Sequence, residues 1–163
     1  RFLKRMLKEG KLFKIKKRPP TQAVPVLFES VSMVDEYVLP YDVSIKRLMK
    51  KYWPGALTII LPCKTSKVPL LVRGGGKTLG VRIPDHSVPT QLIKAADTPI
   101  LAPSANFHGE STPYIFSELD KALIKLVDFV IEGETQGSLS STVVDCSKSP
   151  WEIIRQGAIL LDL

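Results

Sequence analysis

The sequence predicts an α/β protein built on a twisted mixed sheet. Two observations lead there. Short apolar or alternating runs of strand length recur from residue 23 to the C-terminus, and stretches with helical apolar spacing lie between them. Prolines and glycines punctuate the joins, as at Pro19-Pro20 and Pro54-Gly55. The chain has 163 residues, 44% of them apolar and 24% charged, which suits a single domain over 1–163 with a real core. No apolar run approaches the ~18 residues of a membrane span, and the N-terminus lacks the apolar stretch of a secretory signal. A cytoplasmic protein with no membrane partner is expected.

Taken in order, Phe2, Leu3, Met6 and Leu7 share one helical face among basic residues, predicting an amphipathic helix that ends near Gly10. A second short helix, Leu12 to Lys17, stops before Pro19-Pro20. "AVPVLFES" (23–30) reads as a strand in which Pro25 suits an edge or a start. "SMVDEYV" (32–38) and "VSIKRLMKKYW" (43–53) read as helices. "ALTIILP" (56–62) is a buried strand, and "TLGVRIP" (78–84) alternates as a half-buried one. "VPTQLIKAA" (88–96) is a helix, "PILAPS" (99–104) a short strand entering a loop, and "FSELDKALIKL" (116–126) a helix. "VDFVIEG" (127–133), "STVVDC" (141–146), "WEIIRQ" (151–156) and "AILLDL" (158–163) read as strands.

The net charge of +7 is uneven: residues 1–18 hold nine Lys/Arg against one acid. Such a block is either a solvated face or an attraction for RNA or phosphates. Cys63 and Cys146 fit no metal-ligand spacing, so no metal site is expected and two reduced thiols are.

"GGGKT" (74–78) has the ending of a phosphate-binding P-loop but not its body. The first glycine of that motif would fall at Leu71, and "LGVRIP" continues as a strand where a helix is needed. The glycines therefore shape a turn. Lys16 and Arg18, two apart in an extended segment, would project to one side and grip a phosphate or carboxylate, or serve as surface charge. Ser104 and Asn106 follow a buried strand, where α/β proteins bind ligands, although both residues also favour turns. Ser141 and Thr142 open another strand. Arg82 and Arg155 sit in strands among apolar neighbours. H-E-x-x-H, G-x-S-x-G and C-x-x-C are absent, and His86 and His108 are the sole histidines. This inventory suits holding anions and charge developing on phosphorus, and suits general acid–base hydrolysis poorly.

Six motifs in order now carry a resemblance: "KIKKRPPTQAVPVL", "YWPGALTIILP", "GGGKTLGVRIPDHSVP", "APSANFHGESTP", "SSTVVD" and "IIRQGAI". Together they resemble the YrdC/TsaC family of threonylcarbamoyl-AMP synthases in its short form. The resemblance implies a YrdC-like twisted open sheet with a concave, positively charged cleft. It implies a nucleotidyltransferase that makes threonylcarbamoyl-AMP and pyrophosphate from L-threonine, bicarbonate and ATP, with Mg²⁺, for N6-threonylcarbamoyl modification of tRNA by a downstream transferase. It implies Lys16 and Arg18 as catalytic cations on the nucleotide phosphates. Gln22, Thr78, Ser104, Asn106, Thr112 and Arg155 fall at its ATP positions, and Arg82, Ser141 and Ala102 at its threonine positions. Ala23 and Gln156 depart from the usual prolines. The family's P-T-[DE]-T-x-Y-G strand has no counterpart, and some 25–30 residues are expected to be missing near Lys11-Leu12, because two helices abut there without a connection. A non-catalytic double-stranded RNA or tRNA-binding module is the alternative. The corresponding domain of a carbamoyl-transfer enzyme and the longer two-domain form of the family are further alternatives.

Overall fold

The computed structural model describes residues 10–133 and 139–161. The elements run α1 (Lys11–Lys16), β1 (Val26–Leu27), α2 (Val31–Asp35), α3 (Val43–Tyr52), β2 (Leu57–Pro62), β3 (Thr78–Arg82), α4 (Ser87–Ala96) and β4 (Ile100–Leu101). A 3₁₀ turn (Phe116–Glu118), α5 (Lys121–Ile124), β5 (Thr142–Asp145) and β6 (Glu152–Arg155) complete the order. The six strands form one open mixed sheet, β4-β1-β3-β2-β5-β6. Strands β1 and β3 are parallel, as are β2 and β5, whereas β2–β3, β1–β4 and β5–β6 are antiparallel. Among the described residues no helix is long and apolar enough to cross a membrane.

Strand alternation sorts the residues as the sequence demands. In β3, Leu79 and Val81 are buried, and Thr78, Gly80 and Arg82 lie half-buried on the other face. The buried side joins Leu57, Ile59 and Leu61 of β2 and Val144 of β5 in one core. Helices α1 to α3 add Phe13, Val34, Ile45 and Met49 to it. Local chemistry sets the helix starts. Ser30 caps α2 by accepting from Met33 N, and Asp42 caps α3 by accepting from Ser44 N and Ile45 N. His86 caps α4 through Nδ1. Both cysteines are buried and free, and burial pushes the Cys146 thiol up to about 12.

Several expectations are corrected. The strand over 23–30 shrinks to β1, because Pro25 offers no N–H and Val24 N turns instead to Val72 O. The helix over 116–126 splits at Asp120, whose extended backbone and side chain cap α5. Residues 127–133 form no strand, and Phe129 is 80% exposed. Residues 158–161 form none either, since the backbone N–H and C=O of Ile159 both go to the Thr142 hydroxyl. Helix α1 runs Lys11–Lys16, one residue earlier at each end than the expected Leu12 to Lys17. The amphipathic helix expected upstream falls on residues 1–9, and the end of the final strand on 162–163, outside the described residues.

Candidate functional site

A cleft of about 290 Å³ opens between the half-buried face of the sheet and the loops that follow β4 and precede β5. Arg82 comes from the end of β3, and Thr58 from β2 beside it. Ser141 lies just before β5, and Arg155 at the end of β6. Arg18 enters from the segment after α1, and Ser104 and Thr112 from the loop after β4.

The W-P-G turn holds Arg82 in place. Arg82 Nε donates to Gly55 O at 2.8 Å, and Gly55 N donates to Ile83 O at 2.9 Å. A Cβ at Gly55 would stand 2.4 Å from Tyr52 O, so the turn has room for glycine alone. Across the cleft, Arg155 grips Ser141 by three bonds: Nε and Nη2 donate to its carbonyl, and Nη2 also reaches its Oγ at 3.1 Å. Ser141 Oγ lies 3.0 Å from Thr58 Oγ1. Burial, then the charge of Arg155, holds the Arg82 guanidinium below its ordinary pKa, although an arginine stays protonated near neutral pH. Three arginines line the cleft, and among the described residues no carboxylate does. Two guanidiniums that disfavour each other make a receptor for an anion.

Of the predicted residues, Arg18, Arg82, Ala102, Ser104, Thr112, Ser141 and Arg155 line this cleft. Lys16 does not. It ends α1 and is not in an extended segment, which corrects the geometry expected for Lys16 and Arg18. Its ammonium is buried and donates to the carbonyls of Ser104 and Asn106, while Lys16 O accepts from His108 N. Desolvation, then the charge of Arg18, lowers its pKa. Asn106 is outside the lining, taking the Ser104 hydroxyl on Oδ1 and donating to Glu110 O. Gln22 sits outside the lining, its Nε2 3.5 Å from His108 Nε2. Thr78 shares the face of Arg82 but lies at the far end of β3, opposite Pro62. Arg18 is turned back on its own loop through Ala23 O at 2.7 Å.

Sequence reasoning missed Thr58, Tyr114 and Ser140. Thr58 is 4% exposed inside an apolar run, where its hydroxyl was the one available signal. Tyr114 and Ser140 meet through their hydroxyls at 3.2 Å. The glycines of "GGGKT" shape the turn before β3: Gly74 has φ 58, and a Cβ there would lie 2.5 Å from Thr21 O.

Because Lys16 ties α1 to the Ser104–Asn106 loop, Lys16→Met should loosen that loop and leave the sheet alone. Amide hydrogen exchange should accelerate about tenfold or more at His108, whose N–H donates to Lys16 O, and stay unchanged in β2 and β3, since local opening is set by local bonds. Unchanged protection at His108 would remove Lys16 as the anchor.

The family model for the Sua5, YciO and YrdC proteins, described as telomere recombination, matches residues 8–157. The threonylcarbamoyl-AMP synthase of Bacillus subtilis (strain 168) is 35% identical over 153 residues, covering 91% of this chain and 43% of that protein. The crystal structure of P. abyssi Sua5 complexed with L-threonine superposes with a TM-score of 0.85 at 29% identity, over 91% of this chain and 44% of that one. The crystal structure of E. coli YciO gives a TM-score of 0.79 at 27% identity, over 91% and 72%. The chain spans less than half the length of the first two.

Proposed function

We infer the activity from membership and from the cleft: this chain belongs to the Sua5–YciO–YrdC family. We propose that it makes threonylcarbamoyl-AMP and pyrophosphate from L-threonine, bicarbonate and ATP. The observation that carries the proposal is the pairing of Arg82 and Arg155 across a hydroxyl-lined cleft in which, among the described residues, no carboxylate stands.

In this reading the threonine amine captures bicarbonate as a carbamate, releasing water. A carbamate oxygen then attacks the α-phosphorus, the α–β P–O bond breaks, and pyrophosphate leaves with the electron pair. Arg82 takes the threonine carboxylate, because a guanidinium fork matches a carboxylate and Gly55 O fixes its orientation. Ser141 and Thr58 offer hydroxyls to the carbamate. Ala102, small and at the rim, leaves room for the side chain of threonine. Arg18, Ser104, Thr112 and Arg155 face the nucleotide, and Gln22, Thr78, Lys16 and Asn106 support that side from outside the lining. The chain's part is positioning and electrostatic stabilisation, which dominate phosphoryl-transfer chemistry.

The lining residues hold no carboxylate, and the described residues contain no group of three His, Cys, Asp or Glu suited to a metal. The described lining thus offers no carboxylate to Mg²⁺. The product adenylate is the donor for N6-threonylcarbamoylation of tRNA adenosine by a separate transferase. Relatives that carry the synthase name favour this reading over a non-catalytic RNA-binding module.

Pyrophosphate release from ATP tests the proposal. It should require both L-threonine and bicarbonate. Release that ignores either co-substrate would refute it.

A further inference from the structure

The row of side chains across the sheet at Arg82 adds a selection that charge alone does not make. Strands β1 and β3 run parallel, with Leu27 and Arg82 as direct register partners. Residues paired in this way stand on strands about 4.8 Å apart and point to the same face. Val26 and Phe28 are buried on the core side, so Leu27 falls on the cleft side. It is half-buried there and lines the cleft together with Arg82. On the other flank, β2 pairs with β3, and its register continued by one pair brings Thr58 opposite Arg82. Arg82 thus stands between an aliphatic side chain and a hydroxyl.

The other aliphatic groups of the lining lie further off. Pro25 lies over Gly80, two residues back along β3. Ala102 lies beyond Pro25, to whose carbonyl it donates, and Pro103 follows it. Among the described lining residues, Leu27 is therefore the aliphatic one in direct register with Arg82. The arginine is also held in place, since its Nε donates to Gly55 O. A carboxylate seated on Arg82 keeps the β-carbon of an α-amino acid close by, because only two bonds separate the two carbons. The substituents on that β-carbon then meet the side chains that flank Arg82.

We propose that Leu27 is a specificity-determining residue for the amino-acid substrate. It takes the β-methyl group of L-threonine and so separates threonine from L-serine, which lacks that methyl. Hydroxyl groups in the cleft accept both, because both carry the β-hydroxyl. One methyl on an apolar surface separates such a pair about tenfold or more. Ala102 leaves the room, and Leu27 makes the contact. The inference rests on the seating of the threonine carboxylate at Arg82.

The test is an NMR titration of the whole chain with L-threonine, L-serine and L-2-aminobutyrate, which keeps the methyl and lacks the hydroxyl. Binding is followed at the Arg82 Nε–H and the Leu27 methyls. The parent should bind L-threonine about tenfold more tightly than L-serine. An intermolecular NOE should join the threonine methyl to the Leu27 methyls. Leu27→Ala should weaken L-threonine and L-2-aminobutyrate about five- to tenfold and L-serine by less than about twofold. Leu27→Met keeps the apolar volume and should stay within about threefold of the parent for all three. Leu27→Thr, whose side chain suits a strand, should repeat the alanine result where Leu27→Ala loses stability. Equal weakening of all three ligands would make Leu27 a structural residue and overturn the proposal. So would an unchanged threonine-to-serine ratio in Leu27→Ala, or no shift at Arg82 by about 50 mM L-threonine, a range that covers even weak ligands. The readout is binding and so stands apart from turnover. Selective binding without pyrophosphate release would sink the synthase reading and uphold this one.

Discussion

Arg82→Ala should raise the L-threonine concentration for half-maximal turnover about 30- to 150-fold, while ATP affinity changes less than about threefold. A hydrogen bond to a charged group contributes roughly 2–3 kcal/mol, and each 1.4 kcal/mol is tenfold. The asymmetry follows from position. Arg82, fixed by Gly55 O, is the residue proposed to take threonine, whereas Arg18, Ser104 and Thr112 are those proposed to face the nucleotide. Stability should hold, because the substitution removes a partly desolvated charge that Arg155 disfavours. Arg82→Lys should recover only part of the affinity, since a lysine keeps the charge and loses the fork. Isothermal titration with each substrate separates the cases. A variant that loses ATP more than threonine would overturn the assignment of Arg82.

Gly157→Ala should be strongly destabilising. Its Cβ would stand 2.2 Å from Ser140 O, 2.6 Å from Ser141 C and 2.6 Å from Thr142 N. All three are backbone atoms, so no rotamer relieves the contact. The segment cannot step back, because Thr142 Oγ1 accepts from Gly157 N and Ile159 N and donates to Ile159 O. Ala158 N also donates to Ser140 O at 3.0 Å. Overpacking of this kind costs about 3 kcal/mol or more, and in a chain of this size that lowers Tm by roughly 6–12 °C. Turnover should fall as well, because the displaced residues include Ser141, which Arg155 holds by both carbonyl and hydroxyl. Gly133→Ala is the control: nothing lies within 4 Å of its Cβ, and its Tm should stay within about 2 °C of the parent. Calorimetry decides. An unchanged Tm for Gly157→Ala would mean the C-terminal segment does not pack against β5 in this way.

Much of this was legible before any coordinates. The alternation in "TLGVRIP" sets Val81 and Ile83 on one face and Arg82 on the other, and in the structure Val81 and Ile83 are buried while Arg82 is half-buried. Leu71 and the strand after Thr78 ruled out a P-loop, and β3 indeed begins at Thr78. The cleft residues Arg18, Arg82, Ser141 and Arg155 came from motifs and do meet in space.

What the sequence hid is non-local. The run 127–133 has the apolar residues of a strand, yet a strand needs a neighbour to bond, and none pairs with it among the described residues. Lys16 carried the charge expected of a catalytic cation. Only the fold shows its ammonium spent on the carbonyls of Ser104 and Asn106. Thr58 was hidden by its apolar neighbours, and only the parallel pairing of β2 with β5 sets its hydroxyl beside Ser141.

The central claim is that this cleft joins threonine, bicarbonate and ATP. The most direct test incubates the chain with ATP, L-threonine and ¹³C-bicarbonate and identifies the product by mass spectrometry. The account predicts threonylcarbamoyl-AMP carrying one ¹³C, formed in equal amount with pyrophosphate and lost in Arg82→Ala at low threonine. Unlabelled AMP as the sole nucleotide product, or an adenylate without the ¹³C, would contradict it.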